Sequence, residues 1–147
     1  MKTVVGVLLA LVLGAAPTWA TLGEYEASVS SDQQYLRGKL QTTPRQGYTL
    51  HRIASADGTV VREYISPAGL VFGISWQSVT MPNLRQLMGS YYAQFQQASQ
   101  SRVRRRGPFV VRTDQLVVES GGHMRAFHGR AYVPNLLPKN IPPEVVQ

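Results

Sequence analysis

The sequence predicts an α+β fold in which a three-stranded meander and two or three later strands form an antiparallel sheet, with one long amphipathic helix packed on its apolar face. Three observations support this fold class. Residues 48–77 contain three strand-like runs separated by turn signals. The apolar period then changes to that of a helix over Pro82–Ala98. Strand-like runs resume at residue 109, and groups of strands on both sides of a helix are typical of α+β domains.

The first twenty residues, MKTVVGVLLALVLGAAPTWA, have the layout of a secretory signal peptide. Lys2 precedes an apolar run, Val4–Leu13, and a small-residue end, so cleavage is predicted after Ala20. A transmembrane anchor is the alternative, because ~20 apolar residues can span a bilayer. Pro17 and the alanine-rich end favour cleavage. We therefore expect residues 21–147 to form a single exported domain in the periplasm or outside the cell, without an integral membrane span.

Composition restricts the chemistry of this chain. It has no cysteine, which excludes disulfides, iron–sulfur clusters and thiolate–zinc sites, so a buried apolar core must stabilise the fold. The formal net charge is +7, or +6 once Lys2 is removed with the signal peptide, and twelve of the fifteen basic residues are arginine. Such a balance favours association with anionic lipids or acidic polysaccharides. Export argues against nucleic acid as the physiological target.

The amino-terminal half is expected to contain a short helix, a loop and the meander. Ser30 is a candidate helix cap and Gly38 a stop, while Gln41–Gly47 is interpreted as a loop. Turns are predicted at Asp57-Gly58 and at Ser66–Gly69. They separate the strands Tyr48–Ser55, Thr59–Ile65 and Leu70–Gln77. Alternation in the third strand predicts one apolar face made of Leu70, Phe72, Ile74 and Trp76.

A continuous helix is predicted over Pro82–Ala98. Its apolar stripe consists of Leu84, Leu87, Met88, Tyr91, Tyr92 and Phe95. Packing of this stripe on the sheet is favoured over a partner-binding or membrane-binding role. After a basic loop at Ser99–Pro108, the remaining strands are predicted at Phe109–Thr113, Gln115–Ser120 and Met124–Val133. The proline-rich tail, about 134–147, should lack regular structure.

The stretch GGHMRAFHGR (residues 121–130) holds two of the three histidines. If a glycine-led turn opens one strand here, His123 and His128 point to opposite faces and do not bind one ion. A zinc site would need His51 and a carboxylate such as Glu119 or Glu63. We therefore predict no metal and no cofactor. His123, His128 and Glu119 remain a candidate polar site.

The clearest electrostatic feature is an arginine run in the basic loop. Guanidinium groups suit bidentate contact with phosphate or carboxylate, and a solvated loop is the alternative interpretation. The candidate contacts for an anionic partner are Arg102, Arg104, Arg105 and Arg106.

Catalysis has little support in the sequence. A small hydrolase could use His123 or His128 with Glu119 or Ser120. However, the Gly-x-Ser-x-Gly turn is missing, and the eight acidic residues show no arrangement suited to glycoside cleavage. A non-enzymatic role is favoured. A structural subunit that pairs through an open sheet edge is a third hypothesis.

Three stretches carry a resemblance to a known family. They are DGTVVREYISPAGLVFGISWQ (Asp57–Gln77), MPNLRQLMGSYY (Met81–Tyr92) and LVVESGGHMRAFHGRAYVPNLLP (Leu116–Pro138). The chain resembles a family of small exported proteobacterial proteins catalogued as domain of unknown function 2844. The resemblance implies a full-length exported protein of unknown role, with no assigned activity or ligand. The sequence thus predicts a binding or accessory module of the cell envelope, whose partner is an envelope protein or an anionic polymer or lipid.

Overall fold

A seven-stranded antiparallel sheet forms the centre of the protein in a computed structural model that describes residues 22–101 and 107–147. Its strands are β1 (Lys39–Arg45), β2 (Tyr48–Ala54), β3 (Val60–Ile65), β4 (Val71–Ser78), β5 (Phe109–Arg112), β6 (Val117–His123) and β7 (Ala126–Tyr132). Their spatial order is β1-β2-β3-β4-β7-β6-β5. Two meanders, β1–β4 and β5–β7, therefore meet at the β4–β7 pair. The α+β class and the antiparallel sheet are confirmed.

The segment Gln41–Gly47, predicted as a loop, lies largely in the edge strand β1. This strand pairs along its whole length with β2, and Pro44 lies opposite Thr49. Proline has no backbone N–H to donate, but an edge strand tolerates this because one of its sides has no neighbour. Because β1 is mostly exposed, most of its residues are polar, and the alternation of apolar and polar residues that identifies a strand is missing from its sequence.

The helix predicted over Pro82–Ala98 is interrupted, so the prediction of one long, continuous helix is wrong. The helical stretch consists of α2 (Leu84–Met88), a 3₁₀ turn (Gly89–Tyr91) and α3 (Tyr92–Gln100). Gly89 adopts φ 48° and ψ −121°, a conformation that is readily available only to glycine. The first helix, α1 (Val29–Leu36), follows a 3₁₀ turn at Glu26–Ser28.

One face of the sheet packs against α2 and α3, and we call it the helix face. The fully buried Trp76 and Ile74 of β4 contact Leu87 and Met88 of the helical stretch there. Other members of this core are Leu22, Val61, Ile65, Val71, Val111, Leu116, Val118, Ala131 and Val133. The helices thus cover this face, and the opposite face is left to the carboxyl-terminal segment.

The opposite face, which we call the tail face, has a smaller core of Tyr64, Phe72 and Val146. Phe72 reaches this face because the β3–β4 register shifts: Tyr64 pairs with Gly73 and Ile65 with Val71, leaving Phe72 as an extra residue. Such a bulge re-aims a side chain. The prediction that Phe72 shares a face with Ile74 and Trp76 is therefore wrong.

The proline-rich tail crosses the tail face. It contains only two 3₁₀ turns, Pro134–Leu136 and Pro143–Val145, between irregular segments. Val146 is fully buried, and a β-carbon at Gly73 would lie 2.6 Å from its side chain. Glycine at 73 therefore lets the tail lie against β4. Leu136, Leu137 and Ile141 pack around the same small core.

None of the helices in residues 22–101 and 107–147 is long and apolar enough to cross a membrane. The predicted signal peptide, residues 1–20, and the arginine run at residues 102–106 lie outside the described residues.

Candidate anion-binding site

Three arginines form a line across the strands on the tail face. Arg52 of β2 lies directly opposite Arg62 of β3, which lies opposite Ser75 of β4, which lies opposite Arg130 of β7. Residues that are directly opposite in an antiparallel sheet project from the same face. Contacts confirm which face this is, since the Arg130 guanidinium donates to the Val146 carbonyl at 3.2 Å. We call Arg52, Arg62 and Arg130 the arginine row.

Glu119 is the carboxylate at the end of this row. It lies opposite Arg130 on β6, and its two oxygens accept from Arg130 at 2.8 Å and from Arg112 at 2.7 Å. The hydrogen bond from Arg112 is the largest influence that lowers the pKa of Glu119. Glu119 is therefore an anion that arginines already hold, rather than a free base.

The rest of the row has surplus positive charge. Within the described residues, no ion pair joins Arg52 or Arg62 to a carboxylate, and the same holds for Arg45 at the end of β1. The Arg62 guanidinium lies 3.4 Å from the side-chain oxygen of Gln77, which is a neutral partner. These guanidiniums keep donors that an external anion can accept.

The carboxyl-terminal segment forms a wall along the row. The backbone carbonyl of Gln147 accepts from the Tyr64 hydroxyl at 2.7 Å and from the Ser75 hydroxyl at 2.9 Å. Together with the bond from Arg130 to the Val146 carbonyl, these contacts hold the last residues of the tail beside the arginines. The row thus lies at the foot of a fixed ridge.

Three clefts share Gln77 as a lining residue; Arg62 lines one of them and Arg130 another, whereas Arg52 lines none. The largest has a volume of about 620 Å³ and lies between the tail and β1–β3. Its lining residues are Arg45, Tyr48, Leu50, Arg62, Tyr64, Gln77, Val145 and Gln147. The second, of about 320 Å³, is lined in part by Glu119, His128 and Arg130. We call the joined clefts the groove.

The two histidines of GGHMRAFHGR lie in a β-hairpin rather than in one strand. β6 ends at His123, the turn is Met124-Arg125, and β7 begins at Ala126. His123 pairs with Ala126, and His128 lies two residues further along the same strand. Because residues two apart in a strand share a face, both histidines project from the tail face. The prediction of opposite faces is therefore wrong, since the chain reverses between them.

The candidate polar site is only partly assembled. Glu119 and His128 line one cleft, whereas His123 is exposed beside the hairpin turn with its Nδ1 atom 3.1 Å from the Met124 carbonyl. His51 lies on the other face, opposite Glu63. Among residues 22–101 and 107–147, no three histidine or acidic side chains are arranged to hold a metal ion.

The residues named for a hydrolase do not form a nucleophile and base. The Ser120 hydroxyl donates to the backbone carbonyl of His128 at 3.4 Å. The Glu119 carboxylate is held by Arg112 and Arg130. A serine nucleophile needs a histidine ring within hydrogen-bond reach and an acid that orients it. This geometry supplies neither contact.

A second cluster of ionisable groups, which sequence reasoning missed, lies under the helices. Asp32 of α1 and Glu63 of β3 are each 1% exposed and hydrogen-bond to each other, and Asp32 accepts from the Gln86 amide of α2 at 2.7 Å. Burial raises the pKa of Asp32 to about 6. Burial, and then the charge of Asp32, raises the pKa of Glu63 well above its usual value. Glu63 therefore carries the shared proton.

This carboxyl pair holds three elements together rather than forming an open site. It is closed to solvent in the described structure, so a substrate does not reach it. His51 lies opposite Glu63 on β2, and its Nε2 atom is 3.2 Å from the Glu26 carboxylate. Burial lowers the pKa of His51, and the charge of Glu26 acts in the opposite direction.

Comparison with known proteins gives one match. The sequence model of the family described as "Protein of unknown function (DUF2844)" matches residues 18–146, which include every helix and strand described above. No curated protein and no solved structure matches the chain. The family description names no activity, ligand or site residue. On the strength of this nearly full-length match, the chain belongs to the DUF2844 family of proteins of unknown function.

Proposed function

We propose that this protein is an exported, non-enzymatic binding module that holds an anionic partner along the arginine row. One observation carries the proposal: Arg52 and Arg62 lie directly opposite each other with no carboxylate ion pair in the described residues. Like charges at directly opposite positions destabilise a sheet. An anion bound between the two guanidiniums offsets that repulsion, so the fold gains stability when the partner is present.

The surroundings of the row support this proposal. Arg130, Arg45 and Arg112 extend the positive surface over five strands, and Glu119 is the carboxylate among them. Arg130 is already held in place by Glu119 and the tail, so it loses little side-chain freedom when it binds a ligand.

The arginine run at residues 102–106 is proposed as a second contact. It connects α3 to β5, and β5 is the edge strand next to β6, which carries Glu119. A partner that extends past Glu119 along the row approaches this edge of the sheet.

Retention on a sulfated-polysaccharide matrix tests the binding surface. We expect the full chain with Arg52→Gln and Arg62→Gln to elute at clearly lower salt than wild type. The matched control is Arg37→Asn with Arg85→Gln, which removes two exposed arginines from the helical side. The control should elute close to wild type. Equal shifts for both pairs would mean that net charge alone governs retention, and would contradict the proposal.

The Arg62→Gln variant also tests the repulsion between the Arg52 and Arg62 guanidiniums. Arg62→Gln should raise the free energy of unfolding by about 0.2–1 kcal/mol, because it removes a like-charge pair. Urea unfolding in the absence of any polyanion measures this change. A loss of stability on removal of this arginine would show that Arg52 and Arg62 do not repel each other.

Alanine in place of Arg102, Arg104, Arg105 and Arg106 separates the run from the row. If the run is a second contact, this variant should elute at lower salt than wild type, even though its arginine row is intact. An unchanged elution would leave the row as the whole surface and remove the run from the proposal.

Export is tested by the amino terminus of the protein recovered from cells. Cleavage after Ala20 predicts a periplasmic or secreted chain that begins at Thr21. Recovery of the chain in the cytoplasm with residues 1–20 attached would contradict this part of the proposal.

A further inference from the structure

The shape of the groove narrows the class of partner, on the condition that the proposed function is correct. Neighbouring strands in a sheet lie about 4.8 Å apart. Arg52 and Arg62 are one strand apart, and Arg62 and Arg130 are two strands apart with Ser75 between them. Positive charges therefore recur along a line of roughly 14 Å across the strands. A partner that uses all three must itself carry anionic groups along a line.

Two arginines of the row are recessed, whereas Arg52 beside them is exposed, and the recess disfavours a flat partner. Arg62 is half-buried, the Arg130 side chain is 27% exposed, and the tail rises beside both of them. A membrane surface contacts the most protruding side chains of a protein. On this protein Met124, 83% exposed at the tip of the β6–β7 hairpin, protrudes far more than the row does. A thin chain can enter the groove, whereas a bilayer meets its rim.

Neutral polar groups are interleaved with the arginines. Ser75 lies between Arg62 and Arg130 in the row, and the exposed Gln77 amide lines all three clefts. An amide both donates and accepts hydrogen bonds, which suits hydroxyl groups. Arginine suits a carboxylate through two parallel hydrogen bonds. A polymer with both groups matches the groove along its length.

The Tyr64 ring of the groove is not available for base stacking, and Tyr48 is half-buried. Tyr64 is 2% exposed, and its ring packs against those of Tyr48 and Phe72 at centroid distances of 6.0 and 6.2 Å. Proteins that bind single-stranded nucleic acid present exposed aromatic faces between their basic side chains. The exposed Gln77 side-chain amide lies there instead.

We propose that the groove, together with the exposed Arg52 next to Arg62, binds a linear, carboxylate-bearing polysaccharide that lies across the strands, with its carboxylates paired to Arg52, Arg62 and Arg130 and its hydroxyls to Gln77. The proposed partner therefore belongs to the polyuronates, which are linear chains of sugars that carry carboxylates.

Titration calorimetry of the full chain with polyuronate oligomers of increasing length tests this inference. A single uronate sugar should bind weakly, and affinity should rise with length until the oligomer spans the row. Arg62→Gln should lower the affinity for the long oligomer about three- to tenfold, which corresponds to the net contribution of one ordinary hydrogen bond. Gln77→Ala should also weaken it, whereas Gln97→Ala on α3 should leave it unchanged.

The same titration is repeated with inorganic polyphosphate and with phosphatidylglycerol vesicles at equal charge concentration. Equal or tighter binding of either probe, with the same dependence on the arginine row, would overturn the polysaccharide inference and leave the proposed function standing. Vesicle binding that is lost on Met124→Ser and kept on Arg62→Gln would also overturn it. If none of the probes binds, the inference and the proposed function both fail.

Discussion

The buried pair of Asp32 and Glu63 makes this protein less stable as pH rises. Burial raises the pKa of Asp32 from 3.8 to about 6, so the folded chain binds that proton more tightly than the unfolded chain. The stability that this proton contributes is complete below pH 3.8 and is lost as pH rises through about 6. A shift of this size corresponds to about 3 kcal/mol. That is a large fraction of the roughly 5–15 kcal/mol that stabilise a typical domain.

Asp32→Asn removes this titration while it keeps the shape of the side chain. The amide oxygen can still accept from Gln86, and the new N–H can donate to the Glu63 oxygen that has no partner in the described structure. Between pH 4.5 and 7 we expect the free energy of unfolding of the variant, relative to wild type, to rise by about 2 kcal/mol. Burial, the largest cause of the raised pKa of Glu63, remains in the variant, so the change with pH is assigned to Asp32.

Urea unfolding at several pH values, followed by the fluorescence of the buried Trp76, measures this difference. For the comparison to hold, the slope of the unfolding free energy against urea concentration must be equal in the two proteins. Asp114→Asn is the matched control, because it makes the same chemical change at an exposed position in the turn between β5 and β6, outside the buried pair. A constant difference for Asp32→Asn over the same range would refute the raised pKa of Asp32.

Two further predictions concern the β6–β7 half of the sheet. Gly129→Ala places a β-carbon against the Trp76 ring and 2.7 Å from the Glu119 carbonyl, so it should cost about 1–3 kcal/mol and lower the melting temperature. An unchanged melting temperature would show that Trp76 is free to move. Glu119→Gln releases Arg112 and Arg130 from their carboxylate, so the chain should elute from a sulfated matrix at higher salt than wild type, and elution at lower salt would mean that Glu119 positions these arginines for binding.

The parts of this fold that follow from local pattern could be predicted. Glycines at the predicted meander turns, Gly58 and Gly69, adopt φ values of 87° and 79°. Counting equal steps from the first of these turns also pairs Arg52 with Arg62, so two of the three arginines in the row could be placed from the sequence. Glu63 carried a signal as well, because it shares the inward phase of its strand with buried apolar residues.

The parts that were missed depend on distant contacts. Arg130 joins the row only because β7 pairs with β4, and no local pattern specifies that partner. Phe72 changes face because of one unpaired residue, which alternation alone does not reveal. The burial of Val146 depends on a glycine that is far away in the sequence, Gly73. The groove is therefore a product of tertiary contacts, although each of its side chains lies in an ordinary strand.

The single ladder that joins the two meanders also has a consequence for folding. Each meander forms from neighbouring segments, but the β4–β7 pairing of Gln77 with His128 must close a loop of about 50 residues, which is an entropically costly step. The arginine row crosses this joint, with Arg62 in the first meander and Arg130 in the second. A partner bound along the row therefore connects the two halves, and it should slow their separation and protect the joint from proteolysis.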